Sequence, residues 1–174
     1  MATKVSYKPL LTICVLSTLF LSSAMARQGA SPAPSRRELL MELKKCEHLG
    51  PQCNEDSVDK VFQLYQRGDK SVLKNLMDVA PGSDGALSEA LGMAFGEILC
   101  TKPRTYLSAV AMRPRKEHET LLFLATAGDG SGMGCRQIVA LRRRLKRISV
   151  SRGDRLAGLA SECLVQLNEN NRDN

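Results

Sequence analysis

Five consecutive apolar residues, Leu121-Leu122-Phe123-Leu124-Ala125, follow a segment that opens with Pro114 and carries Glu117 and Glu119. Proline is tolerated in a first helical turn, and carboxylates there interact favourably with the helix dipole. The segment therefore predicts an α-helix. Because its second half is apolar on every side, we expect this helix to lie at the centre of the fold, fully buried.

Seven further helices are indicated on either side by apolar residues spaced three and four positions apart. Ser35 and Glu38 form a capping-box pattern at the first of them, and Gly68 follows the second, where a left-handed cap is favoured. The eight predicted helices begin near residues Ser35, Asp56, Asp69, Asp84, Pro103, Pro114, Cys135 and Arg152. No stretch shows sustained alternation of apolar and polar residues, so no strand is predicted.

The helices and the tight Gly/Pro turns between them predict an all-α fold of about eight short helices arranged as antiparallel hairpins. Such hairpins form either a helical-repeat-like, solenoid-like stack or an irregular bundle. We favour the stack, although no repeat recurs at a fixed period. The sequence assigns 35–170 to a single all-helical domain, preceded by a disordered leader at 27–34 and followed by a disordered tail at 171–174.

The N-terminus has the three parts of a secretory signal peptide in their usual order. Lys4 and Lys8 give a positive start, residues 10–21 form an apolar core, and Ala24 and Ala26 are the small residues that a signal peptidase requires. A membrane-spanning helix needs about 20 apolar residues, which this core does not provide. We therefore expect cleavage after Ala26 and export, to the periplasm or outside the cell, with no transmembrane anchor in the mature chain.

Cleavage leaves a mature chain of 148 residues and lowers the net charge from +7 to +5, because Lys4 and Lys8 are removed. This charge is mildly basic, below that of a dedicated nucleic-acid-binding domain, and no nucleic-acid motif is present. The whole sequence has no Trp, four Phe and three Tyr, so aromatic faces for stacking on bases or sugars are scarce.

Export makes disulfides plausible, and the mature chain retains an odd number of cysteines once Cys14 is removed. Cys46 and Cys53 bracket a short turn and can close a local bridge. If neighbouring helices alternate in direction, Cys100 and Cys135 lie at the same end of the domain and can form a second pair. Cys163 competes for either partner of that second pair, or is a buried, inert thiol.

The most highly charged segment is Arg142-Arg143-Arg144-Leu145-Lys146-Arg147. On a helical wheel the apolar residues of this region, Ile138 to Ile148, occupy an arc of about 80°, which all the basic side chains avoid. The pattern predicts an amphipathic helix whose basic side chains form either a solvated outer face or an anion-binding face. The possible anion-binding residues are Arg142, Arg143, Arg144, Lys146 and Arg147.

Other motifs are better explained by structure than by chemistry. The loop from Gly128 to Gly134 matches neither a P-loop nor a dinucleotide-binding motif. Arg67-Gly68-Asp69 spells an adhesion tripeptide, but Gly68 also fits a helix cap and Asp69 a helix start. Cys46, His48 and Cys53 offer three zinc ligands where a structural site needs four. We therefore predict no catalytic residue, metal or cofactor.

Three hypotheses of function follow. The first is an exported helical binding or scaffold protein with a protein or an acidic polymer as its partner. The second is a secreted helical ligand or enzyme inhibitor, because the close pair Cys46/Cys53 and the wider pair Cys100/Cys135 resemble the cysteine spacing of plant inhibitors of cell-wall enzymes. The third is a small hydrolase, which would require a pocket that brings His118 together with carboxylates.

The signal-peptide hypothesis predicts the N-terminus of the mature protein. When the full chain is expressed with an active secretion pathway, the exported product should begin at Arg27, as intact-mass and N-terminal peptide measurements will show. Ala26→Gln places a large side chain at the cleavage position and should leave the precursor uncleaved. Export of the wild-type chain with Met1–Ala26 still attached would contradict the prediction.

Overall fold

The computed structural model describes residues 33–48, 53–127 and 135–170, and every regular element within these ranges is helical. The all-α fold class and the number of helices are thus confirmed. The predicted signal peptide and tail, and most of the predicted leader, lie outside the described residues. The eight helices are α1 (Arg36–Lys44), α2 (Asp56–Gln66), α3 (Val72–Val79), α4 (Gly85–Thr101), α5 (Pro103–Ala111), α6 (Arg115–Ala127), α7 (Cys135–Ser149) and α8 (Ala157–Glu169).

The helices pack in an order that follows the chain. The even-numbered helices contact one another in sequence, α2 with α4, α4 with α6 and α6 with α8, while α1 contacts α3 and α5 contacts α7. These contacts resemble those of a two-layered hairpin stack, but the odd-numbered layer is interrupted, because α3 and α5 do not pack extensively against each other. However, α4 also packs against α7, a contact that a stack of nearest neighbours would not make. The fold therefore combines features of a stack and a bundle.

The core is centred on α4 and α6, which make the most extensive contact between any two described helices. Within α4, Leu91, Phe95 and Leu99 are fully buried. In α6 most of the apolar run is buried as expected, but the Phe123 side chain is 49% exposed. The prediction of full burial is wrong at Phe123, because α4, α5 and α8 cover the other sides of α6 and leave this one open.

A buried hydrogen bond joins α5 to α6. The Tyr106 hydroxyl donates to the backbone carbonyl of Leu121 over 2.7 Å, and the ring centroid lies 5.6 Å from that of Phe95 in α4. Burial raises the pKa of Tyr106 well above its usual value, so the hydroxyl stays protonated and able to donate. Tyr106 thus connects three helices of the core.

Side chains and glycines cap several helix ends as the sequence predicts. The Ser35 amide donates to the Glu38 carboxylate over 2.7 Å and the Glu38 amide to the Ser35 hydroxyl over 3.3 Å, which completes the capping box. At the end of α2, Gly68 has a φ of +114°. Its amide donates to Tyr65 and that of Asp69 to Leu64, the paired hydrogen bonds of a Schellman motif.

Two helices begin later than the sequence predicts. Helix α3 begins at Val72 because the Asp69 carboxylate accepts hydrogen bonds from Arg36 and Ser71 and holds this segment in a turn. Helix α8 begins at Ala157, since Gly153 has a left-handed φ of +76° that a right-handed helix cannot include. No described helix combines the length and apolarity needed to cross a membrane.

The Schellman motif predicts that Gly68→Ala destabilises the fold. A side chain at φ +114° is strained although nothing lies within 4 Å of the added carbon, and the expected cost is about 1 kcal/mol in the free energy of unfolding. Gly158→Ala is the matched control, because Gly158 lies in α8 without a left-handed φ and with the same open space. It should stabilise the protein by about 0.5 kcal/mol. Urea denaturation measures both, and equal effects would contradict the prediction.

Candidate anion-binding groove

Helix α7 has the two faces that the sequence predicts. Its apolar side chains at Leu141, Leu145 and Ile148 are buried against the rest of the protein. Most of the basic side chains are exposed, and Arg142 is half-buried. The amphipathic helix is thus present with the predicted bounds, and whether its basic face binds anions depends on what surrounds it.

A groove of about 530 Å³ lies between α7 and the junction of α4 with α5. Two residues of the basic segment, Arg144 and Arg147, line one side of it. Lys102 and Arg104, which flank the first residue of α5, line the other side. Four cationic side chains from two separate parts of the chain therefore surround one groove, and no carboxylate is among its lining residues.

Arg144 is held in place by the end of α4. Its Nη1 atom donates to the backbone carbonyl of Cys100 over 2.7 Å, in the last turn of the helix. The last carbonyls of a helix have no intrahelical partner and carry partial negative charge, which favours a cation there. The guanidinium is therefore fixed at the groove, while the donors that Cys100 does not use stay available to a ligand.

Arg104 is held in place by a carboxylate that does not line the groove. Its Nη2 atom lies 2.7 Å from Oδ2 of Asp154, whose side chain is only 10% exposed. The backbone amide of Leu156, and secondly Arg104, lower the pKa of Asp154, so this carboxylate stays ionised under mildly acidic conditions. The ion pair partly neutralises Arg104 and orients its guanidinium.

The other two cations have no such restraint. In the part of the chain that the structure describes, neither Lys102 nor Arg147 has a carboxylate within ion-pair distance. Helix α5 also begins at this groove, and the positive end of its dipole adds to the charge there. The groove thus has an excess of positive charge that an anion would neutralise.

The structure brings together only part of the predicted basic face. Arg142, Arg143 and Lys146 do not line the groove, and Nε of Arg142 is buried without a hydrogen-bond partner. Lys102 and Arg104 also line the groove, although they were not among the predicted anion-binding residues. The available signal was a pair of basic residues flanking a proline that opens a helix, but nothing in the sequence connects that pair to α7.

The predicted disulfide between Cys46 and Cys53 is present, with a Cα–Cα distance of 4.5 Å. The second predicted pair stays a prediction, because the Cys135 side chain lies outside the described residues. Cys163 is fully buried, as its helical position predicts, and burial raises the pKa of its thiol to about 12. A thiol with this pKa is not ionised at neutral pH and is a poor nucleophile.

A smaller cavity of about 350 Å³ brings His118 together with Glu119 and Glu162, the grouping that the hydrolase hypothesis requires. However, one ring nitrogen of His118 contacts the backbone and the other is buried. Nε2 lies 3.0 Å from the carbonyl of Arg113, and Nδ1 is buried without a partner. The Glu162 carboxylate is paired with Arg115 over 2.8 Å. The geometry favours a structural role for these groups.

The remaining motifs give no additional site. The disulfide uses two of the three possible zinc ligands, and among the described residues no group of three or more His, Cys, Asp or Glu side chains could hold a metal ion. In the adhesion tripeptide Gly68 is the helix cap, whereas Asp69 lies in a turn instead of starting a helix. The loop from Gly128 to Gly134 lies outside the described residues.

No protein-family model, curated protein or solved structure matches this chain. Any inference about its function therefore depends on the groove and on the sequence features that accompany it.

The local disulfide predicts a measurable contribution to stability. Its two cysteines are seven residues apart, and closing a loop of this size stabilises a fold by about 2.5 kcal/mol through the reduced entropy of the unfolded chain. The Cys46→Ala, Cys53→Ala double variant should lose about this free energy of unfolding. In a strong reductant, the free energy of unfolding of the wild-type protein should decrease toward that of the double variant, as urea denaturation will show. An unchanged midpoint on reduction would contradict the prediction.

Proposed function

We propose that the chain is an exported binding protein whose groove between α7 and the α4–α5 junction holds an anionic group of an acidic partner. The observation that carries the proposal is the convergence of Lys102, Arg104, Arg144 and Arg147 on one groove with no lining carboxylate. Export rests on the signal-peptide pattern that ends at Ala26, and the Cys46–Cys53 disulfide is compatible with an oxidising compartment.

The chemistry of the groove favours oxyanions. Three of its four cations are arginines, whose planar guanidinium groups match the geometry of carboxylate, sulfate and phosphate oxygens. Two of these arginines are already oriented by protein partners, Arg144 by the Cys100 carbonyl and Arg104 by the Asp154 carboxylate. Less side-chain entropy is lost on binding when the cations are restrained in advance.

A second candidate function is a secreted helical ligand or enzyme inhibitor. The observation in its favour is the Cys46–Cys53 disulfide, which is the close pair of the spacing seen in plant inhibitors of cell-wall enzymes. The wider pair, Cys100 with Cys135, is needed to complete that similarity. An inhibitor could also use the basic groove, so the two candidates differ in the partner and not in the surface.

Charge reversal at Lys102 and Arg147, which have no carboxylate partner among the described residues, tests whether the groove binds anions. The double variant Lys102→Glu, Arg147→Glu should weaken binding of the mature protein to immobilised heparin and to polyglutamate by at least about tenfold at low salt. The matched control is Arg143→Glu, Lys146→Glu, which makes the same change in net charge on exposed residues outside the groove.

The control distinguishes a specific groove from a general basic surface. If the control variant retains most of the affinity, the groove holds the anion. If both variants lose affinity equally, binding depends on overall charge and the groove is not a site. Binding of the wild-type protein should decrease steeply with added salt, because exposed charges are screened within about 10 Å at 0.1 M.

A further inference from the structure

A second groove, of about 380 Å³, adjoins the first one. Thr101 and Lys102 line both grooves, so the two share a rim at the end of α4. On the far side of that rim the second groove is lined by Tyr65 and Lys70, which lie at the end of α2 and just beyond it. Basic side chains therefore continue past the first groove.

Lys70 is positioned in the second groove by two contacts with Tyr65. Its Nζ atom donates to the Tyr65 carbonyl over 2.5 Å and lies 3.8 Å from the centroid of the Tyr65 ring. Desolvation and, secondly, the charge of Lys102 lower the pKa of Lys70. The two ammonium groups thus repel each other across the shared rim, and an anion placed between them would relieve this repulsion.

We propose that the two grooves form one continuous site for a linear acidic polysaccharide, whose repeated anionic groups bind successively near Arg147, Lys102 and Lys70. This inference rests on the proposed function, because it extends the same anion-binding groove. It adds that the ligand is a polymer contacted along its length and not a single anion. A linked chain of anionic groups gains affinity because later contacts form within the same complex.

The neutral and acidic groups of the grooves favour a polysaccharide over other polyanions. Thr105 is an exposed residue whose hydroxyl can pair with a sugar hydroxyl. The Thr101 hydroxyl donates to the Glu97 carbonyl over 2.8 Å, and its oxygen can still accept from a sugar hydroxyl. Glu97 lies on the second groove, where it accepts a hydrogen bond from Gln66 over 3.1 Å. A carboxylate here repels a chain that presents only anionic oxygens, but it can accept hydrogen bonds from sugar hydroxyls.

The aromatic residues of the second groove do not favour nucleic acid. Single strands bind by stacking their bases on exposed aromatic faces. Tyr65 is only 4% exposed, with Lys70 over its ring, and Phe62 stacks on Tyr65 with ring centroids 6.2 Å apart. Neither groove therefore offers an open aromatic platform.

The test compares a heparin-derived disaccharide with an octasaccharide by isothermal titration of the mature protein. The octasaccharide should bind the wild-type protein at least about tenfold more tightly. Lys70→Gln should weaken octasaccharide binding by about fivefold and the disaccharide by less, since only the longer chain reaches the second groove. Lys60→Gln, an exposed lysine of α2 that lines neither groove, is the matched control and should leave both affinities unchanged.

Lys102→Gln should weaken binding of both oligosaccharides, because Lys102 belongs to both grooves. Within the described part of the chain it has no carboxylate partner whose loss would destabilise the protein. Equal octasaccharide affinity of the Lys70→Gln and Lys60→Gln variants would overturn the continuous site and leave the proposed function intact. Binding to polyglutamate without binding to either oligosaccharide would overturn the polysaccharide and leave the proposed function intact. Failure of the wild-type protein to bind either oligosaccharide or polyglutamate would overturn the proposed function itself. Polyphosphate and single-stranded DNA of matched charge serve as alternative ligands. If their affinity increases equally with chain length and decreases equally in the Lys70→Gln variant, the assignment to a polysaccharide is wrong.

Discussion

The C-terminal carbonyls of α4 are the constraint on which the arrangement around the groove depends. The last carbonyls of any helix lack intrahelical partners and must find others. In α4 the carbonyl of Ile98 accepts from the Lys102 amide over 2.7 Å, that of Glu97 from the Thr101 hydroxyl over 2.8 Å, and that of Cys100 from Arg144 over 2.7 Å. The last of these bonds comes from another helix. Arg144 thus attaches α7 to the end of α4 and brings part of its basic face to the α4–α5 junction.

This capping bond also explains why positive charge accumulates at the groove. The contact that satisfies α4 places Arg144 and, one turn later, Arg147 beside Lys102 and Arg104. Like charges at short range destabilise a folded protein, and among the residues that the structure describes only Arg104 has a carboxylate partner that offsets the repulsion. The cations of the groove come from two distant parts of the chain and are brought together by the fold. A cluster of this kind is explained most simply if an anion occupies it.

Helix periodicity and helix-capping patterns predicted most of the fold. They could not predict contacts between side chains that are far apart in the sequence. The bounds of α7, the capping box at Ser35 and the cap at Gly68 follow from periodicity and from glycine chemistry. The late start of α8 does not, because it depends on a left-handed Gly153 that the sequence alone does not reveal. Two of the four cations that line the groove, Arg144 and Arg147, were predicted from the sequence as possible anion-binding residues. Lys102 and Arg104 were missed because Arg144 lies 44 residues beyond the carbonyl it caps, and only tertiary packing brings these segments together.

The cations differ in how firmly they are held, and this difference bears on the kind of ligand. Arg104 and Arg144 are fixed by Asp154 and by the Cys100 carbonyl, so in the proposed site they would define the position of an oxyanion. Lys102 and Arg147 are long side chains without carboxylate partners among the described residues, and they can adjust to groups at variable distances. A small, rigid ligand gains most from a site in which every contact is fixed in advance. A site that combines fixed and adjustable cations suits a flexible polymer with repeated charges, which can keep one group in place while its neighbours move.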